Sequence, residues 1–245
     1  MHLYQYPALL PGILIKRYKR FLADIELETG EQITAHCANP GKMRGLSDPG
    51  IAVMVSRSDN SKRKLAYSLE IVRPQDNPEV WVGVNTNLPN QVIKIALEQR
   101  IFRELGDYTT IRPEVAYGQN RNSRVDFCLT GADGSVIYLE VKNVTWALGG
   151  MALFPDAVTT RGQKHLQELA ALVENNQARA VALYFINRSD CDSFAPGDAA
   201  DAKYGELFRV AMNKGLEVLA CRFQVCPTGI DYLGLAPITA CSPIA

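Results

Sequence analysis

The sequence predicts a chain of two units: a small β-barrel over residues 1–86, then an α/β unit with a mixed central sheet over 87–245. Three observations carry that expectation. Short runs of alternating apolar residues, separated by turn residues, fill the first third of the chain. After Asn85-Thr86-Asn87 the apolar spacing lengthens from two residues to a helical period. Beyond that point helical patterns alternate with strand-like runs, and one of these, 179–186, is almost wholly apolar, as in a strand covered on both faces.

The elements follow in order. Residues 12–27 read as one long strand, with Phe21, Ala23, Ile25 and Leu27 on one parity and so expected in the core. Thr29-Gly30 is a turn, 32–37 returns, and Asn39-Pro40-Gly41 breaks the chain. Runs at 50–56, 65–72 and 80–84 complete about five strands, the pattern of an OB-fold or a similar small barrel. A helix is expected from Pro89 to Leu105, with Gly106 as its stop. Strands follow near 111–117, 123–129 and 136–144, then a helix near 160–176, the strand at 179–186, a helix at 198–214 and a strand at 216–225. That order gives an α/β unit with a mixed sheet.

Composition bounds the function classes. Hydrophobic content of 47% and charged content of 21% are those of a soluble globular protein, and a formal net charge of zero argues for no partner. Distribution is more telling, since residues 1–75 hold eleven Lys/Arg against seven Asp/Glu. The excess lies in Lys16, Arg17, Lys19 and Arg20, and in Lys62, Arg63 and Lys64, which is either a phosphate-binding footprint or two solvated loops. Six cysteines without a CxxC pair fit reduced thiols in the cytoplasm, and three scattered histidines speak against zinc. Apolar residues 6–15 precede Lys16-Arg17, the reverse of a secretory signal, and no apolar stretch is long enough to span a bilayer.

The chemistry concentrates between residues 114 and 142. Glu114, Asp126, Glu140 and Lys142 fall inside apolar, strand-like segments, where charges are costly unless paired or bound to a metal. Glu140 and Lys142 share a strand face because side-chain direction repeats every two residues. Asp126 joins them only if the loop between the two strands holds an odd number of residues; a two-residue Asp133-Gly134 turn would set Asp126 opposite Val141. The odd register is expected, with Gly131 or Gly134 at positive φ. Asp126 and Glu140 would then ligate Mg²⁺ or Mn²⁺, Glu114 would complete the shell or orient a water, and Lys142 would lower the pKa of that water or hold the attacked phosphate. A structural ion-pair cluster is the competing reading.

Other residues are weighed the same way. Tyr18 among the basic residues of the barrel either packs or stacks on a base. Lys42 and Arg44 make the 39–44 loop a candidate anion contact. Arg161 and Lys164 open a helix whose N-terminus favours phosphate, with Thr159 or Thr160 as its cap. His165, Trp81 and Trp146 are expected to pack, and Asp156 to begin a turn.

Asp126 with Glu140-Val141-Lys142 resembles the PD-(D/E)xK nuclease signature. Arg161-Gly162-Gln163-Lys164 lies where that superfamily's next helix often carries a Gln or basic residue, which implies a catalytic role for Gln163. More closely, the chain resembles the sugar fermentation stimulation protein A family, through segments 17–24, 36–43, 58–64, 84–87, 124–127, 138–145 and 154–166. The resemblance implies an OB-like first domain, a nuclease-like second domain, DNA binding without strong sequence preference, and a regulatory link to sugar (maltose) use in bacteria. Two functions remain open at this point: a metal-dependent nuclease, or a DNA-binding regulator that uses the nuclease fold only to bind. A sugar or nucleotide sensor has little support, since no Walker or Rossmann glycine pattern occurs. A homodimer joining two shallow grooves is compatible with either.

Overall fold

The structure is a computed structural model that describes residues 1–75, 77–118, 123–175 and 178–239. Alternation in the first third does build a barrel. β1 (His2–Gln5) leads into β2 (Leu9–Tyr18), β3 (Leu22–Leu27), β4 (Gln32–His36), β5 (Ala52–Arg57), β6 (Tyr67–Val72) and the two-residue β7 (Val82–Gly83). β2 to β7 form one sheet in the order β4-β3-β2-β5-β6-β7, and a parallel β4–β6 pairing closes it. Ala23, Ile25, Leu27, Ile33, Ala35, Val53 and Val55 are buried inside, one parity of each strand.

One expectation fails here. Residues 12–27 are two strands, not one. Lys19 and Arg20 adopt left-handed backbone (φ 48° and 63°) and turn the chain. Phe21 therefore leaves the pleat. It is 45% exposed and stacks on the His36 ring, 6.3 Å between centroids, rather than entering the core.

The second unit holds α1 (Leu88–Glu98), a 3₁₀ turn (Arg103–Leu105), β8 (Thr110–Tyr117), β9 (Ser123–Thr130), β10 (Val136–Val144), β11 (Trp146–Leu148), β12 (Met151–Phe154), α2 (Thr160–Glu174), β13 (Arg179–Ile186), β14 (Ser193–Pro196), α3 (Ala202–Asn213), β15 (Glu217–Cys226) and β16 (Gly229–Leu235). Its main sheet has seven strands in the order β1-β16-β15-β13-β10-β9-β8. β10, β13 and β15 run parallel and their flanks antiparallel, so the sheet is mixed as expected. α1 covers one face of the sheet, and α2 and α3 cover the other. The first helix ends at Glu98, earlier than its apolar spacing suggested. Arg100 takes left-handed backbone (φ 57°) and lays its guanidinium 3.6 Å from the Tyr108 ring centre. The small sheet β11-β12-β14 and strand β16 were not foreseen.

The expected division at 86/87 is crossed by one strand. β1 lies in the first span but pairs antiparallel with β16 at the edge of the seven-stranded sheet. The two units also share a core, in which Ile71 and Trp81 of the barrel pack with Leu3, Tyr6 and the α1 residues Val92 and Ile93. Hydrogen bonds fix the joint: Gly83 N donates to Asn187 O (2.9 Å), and Met43 N to Asp156 Oδ2 (3.0 Å). The 39–44 loop is thereby held against the segment that follows β12. The five described cysteines are unpaired, and Cys241 lies outside the described residues. Among the described residues no helix is long and apolar enough to cross a membrane.

Candidate active site

Strand register brings the acids together. Leu139 faces Phe127, Ile137 faces Leu129 and Val136 faces Thr130, leaving residues 131–135 as the loop. Gly134 sits at φ 82°, and Gly131 N donates to Ser135 O (2.8 Å). This is the odd register, and the next step along it sets Asp126 across from Glu140. Parity then separates the side chains of β10. Ile137 and Leu139 enter the core under α1. Glu140 and Lys142, paired in register with Ala182 and Tyr184, lie on the α2 side.

Glu140 is 4% exposed. Its Oε1 receives Lys142 Nζ at 2.7 Å and lies 2.5 Å from His165 Nδ1; Lys142 Nζ and His165 Nδ1 are 3.3 Å apart. Oε2 is buried and has no hydrogen-bond partner. Burial pushes the Glu140 carboxyl up, but Lys142 and His165 outweigh it and hold the group below the usual glutamate range. Asp126 has two donors: Asn90 Nδ2 reaches Oδ1 (2.8 Å) and Val141 N reaches Oδ2 (2.7 Å). These do not offset burial and the Glu140 charge, so its carboxyl is pushed up to about 6. Both acids and Lys142 line a cleft of about 480 Å³, roofed by Asn39, Pro40 and Gly41 from the barrel and reached by Arg161.

The remaining expected residues divide by position. Glu114 does not join the acids. It has left-handed backbone (φ 54°), its side chain is 59% exposed, and it sits 3.8 Å from Arg124 in a neighbouring groove shared with Arg161, Lys164 and His165. Among the described residues no three His, Cys, Asp or Glu side chains gather into a metal-holding group; Asp126 and Glu140 lie together, while Asp156, also in the cleft wall, accepts from Met43 N. Gln163 is turned away, with Nε2 2.9 Å from both Asp201 oxygens. Thr159 caps α2, accepting from Gly162 N at 3.1 Å.

The barrel's basic residues do unequal work. Arg17 gives Nη2 to the carbonyls of Arg20, Asn39 and Gly41 and so holds the roof of the cleft. Arg44 donates Nε to Asp156 O (2.9 Å) and lies over the Trp146 ring, 4.8 Å from its centre. Lys16 pairs with Asp24 (3.3 Å), which also accepts the Tyr18 hydroxyl (3.1 Å). Arg63 donates to Ser68 Oγ (2.8 Å), while Lys19, Arg20, Lys42, Lys62 and Lys64 are exposed.

Two site residues were not read from the sequence. Asn90 carries no signal there, because its role depends on α1 packing beside β9. His165 is buried as expected, yet its ring touches Glu140. The clue was its spacing: it lies four residues after Arg161, on the same helix face.

Residues 87–229 match the family model for the sugar fermentation stimulation protein RE domain, and residues 15–84 that for the SfsA N-terminal OB domain. A sugar fermentation stimulation protein homolog from Trichormus variabilis is 60% identical over 237 residues, covering 96% of this chain and 98% of the relative. One from Microcystis aeruginosa is 62% identical over 234 residues, covering 95% and 96%. The structure of Pyrococcus furiosus SfsA in complex with Ca²⁺ matches 98% of this chain and 99% of that one, with a TM-score of 0.88 and 24% identity, so the two share a fold across both units. The chain belongs to the sugar fermentation stimulation protein (SfsA) family.

Proposed function

We propose that this protein binds nucleic acid, DNA foremost, and hydrolyses phosphodiesters at a divalent-ion site formed by Asp126 and Glu140. The observation that carries the reading is Glu140 Oε2, a buried carboxylate oxygen without a partner, beside a second acid whose charge is already disfavoured. A hard cation relieves both. Mg²⁺ and Mn²⁺ bind through one or two carboxylates, keep several waters and take substrate phosphate oxygens, so a pair of acids suffices. The Val141 carbonyl is a further oxygen beside them. The Ca²⁺ named with the Pyrococcus furiosus protein supports an oxygen-ligated ion.

When bound, such an ion polarises a phosphate and lowers the pKa of a water. The chain's own groups do the rest. Asn90 and the Val141 N–H hold the Asp126 carboxylate in place. Lys142 and His165 fix Oε1 of Glu140, so that Oε2 is the oxygen left to bind. Lys142 also places a cation where negative charge grows on an attacked phosphate. Arg161, which lines both the cleft and the neighbouring groove, anchors the next phosphate with the N-terminus of α2. The exposed barrel lysines extend a track that ignores sequence. A role in sugar use would be exerted through that binding.

A second reading is favoured by one fact: Glu114, a third acid of the expected shell, lies outside the cleft. On that reading the site binds DNA without cutting it. A panel of single-stranded, double-stranded and branched DNA and RNA, with Mg²⁺ or Mn²⁺, separates the two. Metal-dependent cleavage that drops about a hundredfold or more in Asp126→Ala, with DNA binding retained, supports the nuclease. Binding that weakens steeply with salt and no turnover with either ion supports the regulator. Undiminished cleavage by Asp126→Ala removes the assignment.

A further inference from the structure

One ridge away from the candidate active site lies a second recess, of about 360 Å³. The ridge is made where 38–39 crosses 85–87, tied by Thr86 N and Oγ1, which both donate to Ala38 O. Successive side chains fall to either side of it. Asn39, Thr86 and Asn90 face the first cleft; Asn85, Asn87 and Gln91 face the second.

Glu70 lies in the second recess and is 7% exposed. Oε1 accepts the Ser56 hydroxyl (2.6 Å) and Oε2 accepts Asn85 Nδ2 (2.8 Å). Each carboxylate oxygen has two lone pairs, so each keeps one to offer. Among the described residues no cation pairs with Glu70. Arg63, in the wall of the recess, gives its Nη2 to Ser68 instead, and His36, also in the wall, stacks on Phe21. A buried carboxylate with spare acceptor capacity favours a ligand that brings adjacent N–H donors. The walls suit a flat one. Tyr4 and Tyr6 meet edge to face, 5.3 Å between centroids, and the buried Tyr6 hydroxyl has no hydrogen-bond partner.

Guanine carries two neighbouring N–H donors and an adjacent carbonyl acceptor on one edge. Adenine and thymine lack the paired donors. We propose that this recess takes a guanine base of the bound strand, its N1–H and N2–H donating to Glu70 and its O6 accepting from the Tyr6 hydroxyl. This rests on the nucleic-acid reading above and adds to it one position where a base, rather than a phosphate, is read.

The test is fluorescence anisotropy of the full chain, in Ca²⁺, with short oligothymidine strands carrying one central guanine, hypoxanthine or adenine. Hypoxanthine differs from guanine only by the missing N2 amino group, so this comparison needs no variant and no assumption about folding. About tenfold tighter binding of the guanine strand, lost in a Glu70→Gln protein of unchanged fold, supports the proposal. Equal affinity for all three strands overturns it and leaves general nucleic-acid binding standing. Binding to none of them overturns both. If Glu70→Gln does not fold, the guanine and hypoxanthine strands on the wild-type protein decide alone.

Discussion

Asp126 and Asp201 show how burial and hydrogen-bond partners together set what a carboxylate does in this fold. Asp201 has the smaller exposed surface, at 4%, but the Asp126 carboxyl lies deeper among the protein's atoms, so burial weighs more on its charge. Burial pushes both carboxyls up. At Asp201 the N–H groups of Thr159 and Tyr204 and the Gln163 amide outweigh it, so the group titrates below the usual aspartate range. At Asp126 two hydrogen bonds face burial plus the charge of Glu140, and the group rises to about 6. The first acid is spent on structure, joining the start of α2 to the start of α3. The second is held where its charge is disfavoured. The contrast separates an acid used in structure from the acid proposed to bind the ion, without appeal to sequence.

The largest effect should come from removing the cation that restrains Asp126's neighbour. Lys142 and Glu140 are 13% and 6% exposed at their side chains, so Lys142→Met leaves a buried charge with only His165 beside it. A loss of about 3–5 kcal/mol at neutral pH is expected, read by chemical denaturation. Because Glu140 is held below its ordinary value of 4.5, its stabilising contribution is present above that value and lost as pH falls through the folded one. The deficit of the variant should therefore shrink in acid. A deficit that is small at neutral pH would mean that Glu140 is not held as a buried anion.

How much of this was legible in the sequence follows from range. The register of β9 and β10 was legible because it depends on a five-residue loop and a period of two, both local. The placement of Glu140 and Lys142 on one face follows from the same rule. The roof over the cleft was not legible, since it rests on contacts between Met43 or Arg44 and Asp156, more than a hundred residues on. β1 pairs across nearly the whole chain, and four residues of ordinary polarity do not announce their partner. α2 gives the finest case. Gln163 and His165 are two positions apart, about 200° around the helix, so only one can face Glu140. The resemblance pointed to Gln163; the structure turns Gln163 to Asp201 and His165 to Glu140.

Exchanging each aspartate for asparagine should sharpen the contrast through opposite signs. Asp201→Asn weakens charged hydrogen bonds to buried donors and should cost about 2–3 kcal/mol. Asp126→Asn should stabilise the metal-free protein. A folded carboxyl raised from 3.8 to about 6 keeps its proton longer than the unfolded one, so ionising it draws stability down as pH rises across that window. Removing the charge recovers about 2–3 kcal/mol above the window, and the loss of one hydrogen bond offsets about 1. Melting curves from about pH 4 to pH 8 should show the gain opening with pH. A gain that is constant with pH, or a loss at neutral pH, would mean that Asp126 is held as Asp201 is.

The smallest effect tests the boundary of the functional set. Glu114 takes left-handed backbone, which costs a non-glycine residue about 1–2 kcal/mol, and its exposed pair with Arg124 at 3.8 Å returns little. Glu114→Gly should remove that strain and, after the entropy of a glycine, gain about 0.5–1 kcal/mol. Glu114→Ala keeps the strain and should change stability by less, so the difference between the two variants isolates the backbone. Mn²⁺ affinity, followed by titration, should be the same in both variants as in the parent. If both variants bind Mn²⁺ about tenfold more weakly, Glu114 reaches the ion, and the division between acids inside and outside the cleft has to be redrawn.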